Sequence, residues 1–361
     1  MRILLLSAYD ALSHQYWRKG LEMHFPEHDW TVLSLPGRHF SWRIRGNSLS
    51  WAFSARETLA QPFDLVIATS MVDLTSLRGF IPSLAQIPCL VYFHENQFAY
   101  PASGHEHRSV EPLILNLYNA LCADLVLFNS AWNRDTLLSG AEQLLRKLPD
   151  QVPAGLTERI RAHSHVLPVP LPDALFLPSQ PRKGPLEIVW NHRWEFDKGP
   201  ELLLAAVTRL QARQVPFRLH VVGQQFRQIP AVFEQLQLQL TQGGQLGHWG
   251  HIKEVQAYRQ LLQQADVVLS TALHDFQGIA VLEGVAAGCR PVVPDRLAYR
   301  ELFAPEYRYA EQQETEALAE MITTLASRKQ GGEPLHSPDI RQLSWSALRP
   351  VWAEMISAAV R

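Results

Sequence analysis

Two carboxylates stand eight positions apart in Asp275-Phe276-Gln277-Gly278-Ile279-Ala280-Val281-Leu282-Glu283. Gly278 permits close backbone approach, and the pattern from Gly278 onward reads as a helix start. Asp275 then lies in the loop before the helix, and Glu283 more than one turn inside it. The free N–H groups of such a start favour an anion. One acid can hold sugar hydroxyls and the other a ribose diol, with backbone amides on phosphate between them. The bland alternative is a capped helix with an ordinary solvated glutamate. Upstream, Arg193 and Lys198 follow an apolar strand in Asn191-His192-Arg193-Trp194-Glu195-Phe196-Asp197-Lys198. A planar guanidinium fork and a compact ammonium suit a diphosphate leaving group. The competing reading pairs them with Glu195 and Asp197 as surface salt bridges. A third place where polar residues follow a buried strand is His94-Glu95-Asn96-Gln97.

These residues need elements to position them. Apolar runs at Ile3–Leu6, Thr31–Leu35, Asp64–Ala68, Cys89–Phe93 and Asp124–Phe128 read as strands, followed by Glu187–Trp190, Arg218–Val222, Asp266–Ser270 and Pro291–Val293. They do not alternate, which marks strands covered on both faces, as in parallel sheets. Helical periodicity lies between them, as in Leu202, Leu203, Ala206, Val207 and Leu210 after Gly199-Pro200. The repeated βαβα order predicts an α/β protein of two doubly wound, Rossmann-like domains. Pro168, Pro170, Pro172, Pro178, Pro181 and Pro185 mark the crossing between them. The boundaries read are 1–170, 171–343 and a closing helix over 344–361 that packs back toward the N-terminal domain. The Gln224–Gln245 stretch reads as a polar helix plus a turn. Open α/β sheets bind ligands at the carboxyl ends of their strands. Two parallel sheets facing an interdomain cleft would therefore bring the strand-end residues together there.

Composition excludes several classes. The chain has 361 residues, 47% hydrophobic and 19% charged, enough to bury large cores. Its 33 basic and 35 acidic residues give −2, with 15 histidines taken as neutral, so no basic coat for nucleic acid exists and only a local patch could serve. Cys89, Cys122 and Cys289 form neither a disulfide framework nor a CxxC pair. No stretch is long and apolar enough for a membrane span, and the N-terminal apolar run is too short for a signal peptide, which predicts a soluble cytoplasmic protein without membrane partners. Neither half carries G-x-G-x-x-G after a strand, nor a P-loop, which sets aside dehydrogenases and P-loop NTPases. No His/Asp cluster has metal-ligand spacing, so no metal and no cofactor is expected.

The Asp275–Glu283 pair with Arg193 and Lys198 resembles the nucleotide-sugar domain of retaining GT-B glycosyltransferases of family 4, with Asp275 in place of the usual glutamate. The match extends further. Tyr92-Phe93-His94-Glu95-Asn96-Gln97, Phe128-Asn129-Ser130, Leu273-His274-Asp275-Phe276, and Ser13-His14 with Leu35-Pro36 through Trp42-Arg43 resemble the tRNA-queuosine mannosyltransferase family over essentially the whole chain. The resemblance implies the GT-B fold. It implies transfer, with retention, of mannose from GDP-mannose to the cyclopentenediol of queuosine in a tRNA anticodon, so the partners are a nucleotide sugar and a queuosine-containing tRNA. Rival readings are a GT-B enzyme acting on a glycan or lipid, and a non-catalytic nucleotide-sugar binding module.

Roles follow from the resemblance. His94, Arg193, Lys198, Asp275 and Glu283 form the catalytic set. His94 contacts the donor sugar near the reacting carbon, or is a hydrogen-bonded structural histidine. His274 assists Asp275, and Gln277, Gly278 and Ile279 continue the donor-binding segment. The loop at His251 reads the base, or is a simple turn. Gly223 approaches ribose or phosphate, and Thr271 lies near the diphosphate or ends its strand. Glu95 and Asn96 bind acceptor or orient His94. Ser13 and His14 border acceptor or phosphate, with an N-cap role as the competitor for Ser13. Trp30 to Arg56 contains four arginines and no acid. Arg38, Trp42, Arg43 and Arg45, read as a loop, offer charge for phosphates and a flat face for bases. Trp51 and Phe53 are expected in the core.

Overall fold

The computed structural model describes residues 1–100, 109–176, 178, 183–226 and 229–361. Pro181 of the proline-rich crossing, and residues 227 and 228 of the glutamine-rich stretch, lie outside the described residues. The chain divides into two compact units, Met1–Pro170 with Trp345–Arg361, and Leu171–Ser344.

The first unit is built on a six-stranded sheet: β1 (Arg2–Asp10), β2 (Asp29–Pro36), β3 (Leu65–Thr69), β4 (Cys89–Phe93), β5 (Leu125–Phe128) and β6 (Ser164–Val166), in spatial order β2-β1-β3-β4-β5-β6. All pairings are parallel. Every residue of β3, β4 and β5 is buried, because helices cover both faces and leave no side for polar alternation. The closing helix Trp345–Ala358 belongs to this unit. Trp352 lies 5.2 Å from the Tyr92 ring and 6.0 Å from Trp17, and Trp345 stacks on His24 at 4.2 Å.

The second unit repeats the plan with β7 (Leu186–Trp190), β8 (Phe217–Val222), β9 (Leu246–Gly250), β10 (Val267–Leu269), β11 (Arg290–Pro294) and β12 (Arg308–Tyr309), in order β12-β11-β10-β7-β8-β9. Helices Pro200–Ala212, Val232–Gln242 and Glu314–Gln330 bury Leu203, Val207, Leu236, Leu240, Leu318 and Ile322 in its core. Pro200 opens its helix at the position where a missing N–H costs nothing.

In both sheets the strand order reverses next to the first strand. β1 has β2 on one side and β3 on the other, and β7 has β8 and β10. Backbone connections leave such a switch point in opposite directions and open a crevice at the carboxyl ends. In the first unit this edge carries the segments after β1, β3 and β4. In the second it carries Asn191–Lys198 and Ser270–Gly278.

Candidate functional site

In the second unit the loop after β7 turns into a short 3-10 segment, Phe196–Lys198, which places Lys198 at the switch point. Lys198 is buried, and its ammonium donates to the His274 carbonyl at 2.7 Å. It lies 3.3 Å from the Asp197 carboxylate and 3.5 Å from Asp275. Arg193 contacts Glu195 at 2.5 Å and Asp197 at 3.5 Å. The two cations are therefore joined through Asp197, and Lys198 joins them to Asp275. The carboxylate contacts of the bland salt-bridge reading are present, but Asp197 and Lys198 are not surface groups: both are buried at the strand ends.

Asp275 is set by its own loop. One carboxylate oxygen accepts from the Gly278 amide at 2.9 Å and the other from the Tyr299 hydroxyl at 3.3 Å. Burial pushes its carboxyl up, but Lys198, His192 and the Gly278 N–H outweigh burial and hold it below the ordinary range. It is ionised at neutral pH. The Gly278 amide is thus not free for a ligand, a correction to the fully open helix start. Gly278 itself has φ 73°, and a Cβ there would meet Tyr299 at 2.7 Å, so the turn into helix Ile279–Ala286 requires glycine.

Glu283 lies one turn inside that helix, partly buried. It accepts from the Tyr258 hydroxyl at 2.8 Å. That hydroxyl accepts from Asn191 Nδ2 at 2.8 Å, and Asn191 also donates to the Ala280 carbonyl at 2.7 Å. The relay ties Glu283 to the residue just after β7, two positions before Arg193. Burial raises the Glu283 carboxyl to about 7, against the lowering effect of Tyr258. Two acids eight residues apart thus have opposite environments, as happens where carboxylates are tuned for different tasks.

Several residues assigned to the donor act from beneath. Thr271 is fully buried; its hydroxyl donates to the Lys198 carbonyl at 2.7 Å and accepts from Trp190 Nε1 at 2.9 Å. It fixes the lysine rather than meeting a ligand. Gly223 has φ 150°, and a Cβ there would stand 1.8 Å from the His192 carbonyl oxygen, so this glycine serves the close approach of two strand-end loops. Gln277 is buried and Ile279 opens the helix. His251 is exposed after Gly250, whose φ is 97°. His274 is buried with its ring edge-on to Phe276, and burial followed by Lys198 lowers it to about 4. His192 was not singled out in the sequence. It is buried, its Nε2 has no hydrogen-bond partner among the described residues, and burial followed by Lys198 holds it near 4.

In the first unit, His14 and His94 come together with ring centroids 4.2 Å apart, backed by Trp17 and Tyr92. Both are buried, and the Nε2 of each lacks a partner among the described residues. Burial, then repulsion from His14, holds His94 far below the ordinary range, so it is neutral. His14 is lowered by burial against the pull of Glu95 and Asp10. Thr69 Oγ1 and Ser70 Oγ, at the end of β3, are buried and equally unpartnered, a second feature absent from the sequence reading. Ser13 is exposed beside His14, and the N-cap of helix Leu12–His24 is Ala11, so the N-cap reading of Ser13 fails.

Asn96 faces inward. Its amide donates to the Asn133 carbonyl, Asn133 Oδ1 and Thr136 Oγ1, each at 2.9 Å, and its oxygen accepts the Phe98 and Ala99 amides. It holds the loop and is not placed to bind acceptor. Asn133 also donates to the Phe93 carbonyl and Asn129 to the His94 carbonyl, both at 2.8 Å, so buried amides fix the end of β4. Glu95 is partly buried.

The expected basic loop is mostly helix. Phe40–Ser54 is helical and contains Trp42, Arg43 and Arg45, leaving Arg38 in the exposed turn before it. Arg45 pairs with Asp73 at 3.2 Å and Glu111 at 3.9 Å. Trp51 is in the core, but Phe53 is 67% exposed with its ring against Phe80, a correction to its core assignment. Among the described residues no group of three or more His, Cys, Asp or Glu could hold a metal ion, and no helix is long and apolar enough to cross a membrane.

Two parallel sheets with ligand-type residues at their switch points define a GT-B glycosyltransferase architecture. Solved structures share it at low identity. They include Anabaena HepE in complex with UDP (TM-score 0.70, 15% identity, 99% of this chain and 100% of that one). Sucrose-phosphate synthase from Thermosynechococcus elongatus is similar (TM-score 0.69, 16% identity, 99% and 100%). Residues 175–335 match the family described as glycosyl transferases group 1. Residues 2–171 match the tRNA-queuosine alpha-mannosyltransferase N-terminal family. The Drosophila melanogaster tRNA-queuosine alpha-mannosyltransferase is 33% identical over 317 residues, 85% of this chain and 83% of that protein. The chain belongs to the tRNA-queuosine alpha-mannosyltransferase family.

Proposed function

We propose that this protein is a retaining hexosyltransferase that moves mannose from GDP-mannose to the cyclopentenediol of queuosine in a tRNA anticodon loop. The observation that carries the chemistry is the joining of Arg193 and Lys198 with Asp275 at the β7/β10 switch point, with Glu283 tied to the same strand end through Tyr258 and Asn191. The 33% identity to a protein named for this reaction supports the substrates.

In this reading the diphosphate oxygens take the place of Glu195 at Arg193 and reach Lys198 while its contacts to Asp197 and Asp275 stay in place. Negative charge grows on the diphosphate as the bond to the anomeric carbon breaks, and the buried Lys198 and the partly exposed Arg193 at one strand end stabilise it. Preorganised charge of this kind is usually the largest catalytic contribution. Lys198 needs no reorganisation, because Thr271, His274 and Asp197 already fix its backbone and ammonium. Asp275, kept ionised, accepts sugar hydroxyls, and Glu283 accepts the ribose diol. Neither acts as nucleophile: both are assigned to hydroxyl binding, unlike the flanking pair of a glycosidase. His94, kept neutral by burial, is assigned to the donor sugar. The acceptor hydroxyl forms the new bond to the anomeric carbon, and its proton leaves with GDP. Transfer without a metal or cofactor, with the two cations supplying the charge, and action in the cytoplasm are part of the proposal.

The test is incubation with labelled GDP-mannose, in excess chelator, and with queuosine-containing or queuosine-lacking tRNA. Label is expected only in the queuosine-containing RNA. Label in both RNAs, in neither, or in a lipid fraction would overturn the assignment, and activity that appears only when a divalent ion is restored would overturn its metal-free part.

A further inference from the structure

Two arginines of the described residues are buried, Arg290 at 8% exposure and Arg43 at 9%. A buried cation is costly unless it is paired and hydrogen-bonded. Arg290 obeys this: it donates to the His336 carbonyl at 3.1 Å and the Glu306 carbonyl at 2.9 Å, and lies over the Tyr307 ring. Arg43 does not. Its Nε is sealed from solvent, as is that of Arg290, but its guanidinium has neither hydrogen bond nor ion pair among the described residues. Its neighbour Arg45, by contrast, is paired with Asp73.

The position of Arg43 gives the missing partner a chemistry. It lies in the first turn of helix Phe40–Ser54, which is entered through His39 in the left-handed conformation and has no side-chain cap. The Trp42 and Arg43 amides donate to the His39 carbonyl, and the helix dipole with the earlier amides favours negative charge at this end. The turn before it follows Pro36, which pairs with Asp10 at the carboxyl edge of the sheet. Next to Arg43, Trp42 is 57% exposed, and its indole lies along its own helix: a Cβ on Gly46 would meet it at 2.3 Å. An anion beside an exposed, flat aromatic face matches one phosphate and one base of an unstacked strand.

We propose that Arg43 seats a single backbone phosphate of the acceptor RNA, with Trp42 stacking an adjacent unpaired base. This rests on the reading of the acceptor as tRNA and adds the contact that orients the loop. The sunken, unpaired guanidinium is then a cost carried by the free protein and relieved on binding.

The experiment compares wild-type protein with Arg43→Met, Arg43→Lys and Gly46→Ala. It measures binding of a labelled, queuosine-containing anticodon stem–loop over a salt series, together with melting temperature and GDP-mannose affinity. Arg43→Met is expected to weaken RNA binding about tenfold or more and to lower the salt slope by about 0.7–0.9, one phosphate contact. Its melting temperature should be unchanged or higher, and GDP-mannose affinity unchanged. Arg43→Lys should keep the slope and lose part of the affinity, since it keeps the charge without the fork. Gly46→Ala should weaken binding by displacing the indole while leaving the slope intact. A lower melting temperature in Arg43→Met with an unchanged slope would make Arg43 structural and overturn the proposal while leaving mannose transfer standing. Loss of binding to anionic phosphatidylserine vesicles by Arg43→Met, with RNA binding intact, would overturn it in the same way. Wild-type protein that transfers no mannose to any queuosine RNA would instead overturn the functional reading itself.

Discussion

Replacing Tyr258 by Phe should move the pH range over which the protein holds its donor. The Tyr258 hydroxyl donates to Glu283 at 2.8 Å and favours the ionised carboxylate, which burial nonetheless raises to about 7. A hydrogen bond to a charged group contributes roughly 1.5–3 kcal/mol, and one pKa unit corresponds to about 1.4 kcal/mol, so its loss should raise the midpoint by about one to two units. A ribose diol donates two hydroxyls, so the ionised form is the binding form, and affinity falls as pH drops through the midpoint. At pH 7.5 a carboxyl titrating near 7 is about three-quarters ionised, and one titrating one to two units higher about a quarter to a thirtieth, so the variant should bind GDP-mannose about three- to twenty-five-fold more weakly. At pH 9 the two should differ about twofold or less. Calorimetric titration from pH 5.5 to 9 reads this directly, and Asn191→Ala should shift the midpoint in the same direction by less. For stability the sign is opposite. The folded chain keeps a proton on Glu283 that the unfolded chain loses near the ordinary glutamate pKa, so this contribution weakens as pH rises toward 7 and is gone above it. Equal weakening by Tyr258→Phe at pH 7 and pH 9 would refute the assignment of the ionised Glu283 to the diol.

Three further outcomes follow from the same geometry. Lys198→Met leaves Asp197 and Asp275 without their shared cation; breaking a buried pair costs about 3–5 kcal/mol, and kcat should fall about 10²–10³-fold. Adding Asp197→Asn should restore part of the melting temperature and none of the kcat. Glu195→Gln removes the carboxylate that faces Arg193 at 2.5 Å; because the pair is partly exposed, the gain is capped at about 1 kcal/mol, a donor KM lower by about fivefold at most with kcat unchanged. Gly223→Ala should lower the melting temperature by about 6–12 °C, from about 3 kcal/mol in a unit of this size, because its Cβ would stand 1.8 Å from the His192 oxygen at φ 150°. A melting temperature within two or three degrees of wild type, by about 1 kcal/mol, would contradict that close approach.

What the sequence shows of this protein depends on periodicity. Strands buried on both faces announce themselves as apolar runs, and β1, β3, β4, β5 and β7 fall where Ile3–Leu6, Asp64–Ala68, Cys89–Phe93, Asp124–Phe128 and Glu187–Trp190 predict them. β6, β9 and β12 escaped because they are edge or near-edge strands of two to five residues, and β9 reads Leu-Gly-His-Trp-Gly. Only the first half of helix Phe40–Ser54, with Trp42, Arg43 and Arg45, reads as a loop in the sequence, because Gly46, Asn47 and Ser48 are poor helix formers. Burial overrides propensity there: Asn47, wholly inside, donates to the Arg43, Ile44 and Met71 carbonyls and accepts the Asp73 amide. The residues after the strand ends were legible as a set, since the switch-point rule says where to look. Their division of labour was not. Asn96 and Thr271 carry ligand-type side chains in ligand-type places, and only three-dimensional contacts show them turned inward. Tyr258 reaches Glu283 across 25 residues, and Asn191 reaches Tyr258 across 67 and Ala280 across 89, and no local pattern carries that.

The measurement closest to the core of the account is the thermal shift produced by GDP in wild-type protein and in the Arg193→Ala/Lys198→Met double variant, with UDP and ADP alongside. A ligand at one hundred times its Kd adds about 2.7 kcal/mol to the unfolding free energy, several degrees for a unit of this size. That shift is expected for GDP in the wild type, a smaller one for UDP and ADP, and little or none in the double variant. A full GDP shift without guanidinium 193 and ammonium 198 would show that the diphosphate binds elsewhere.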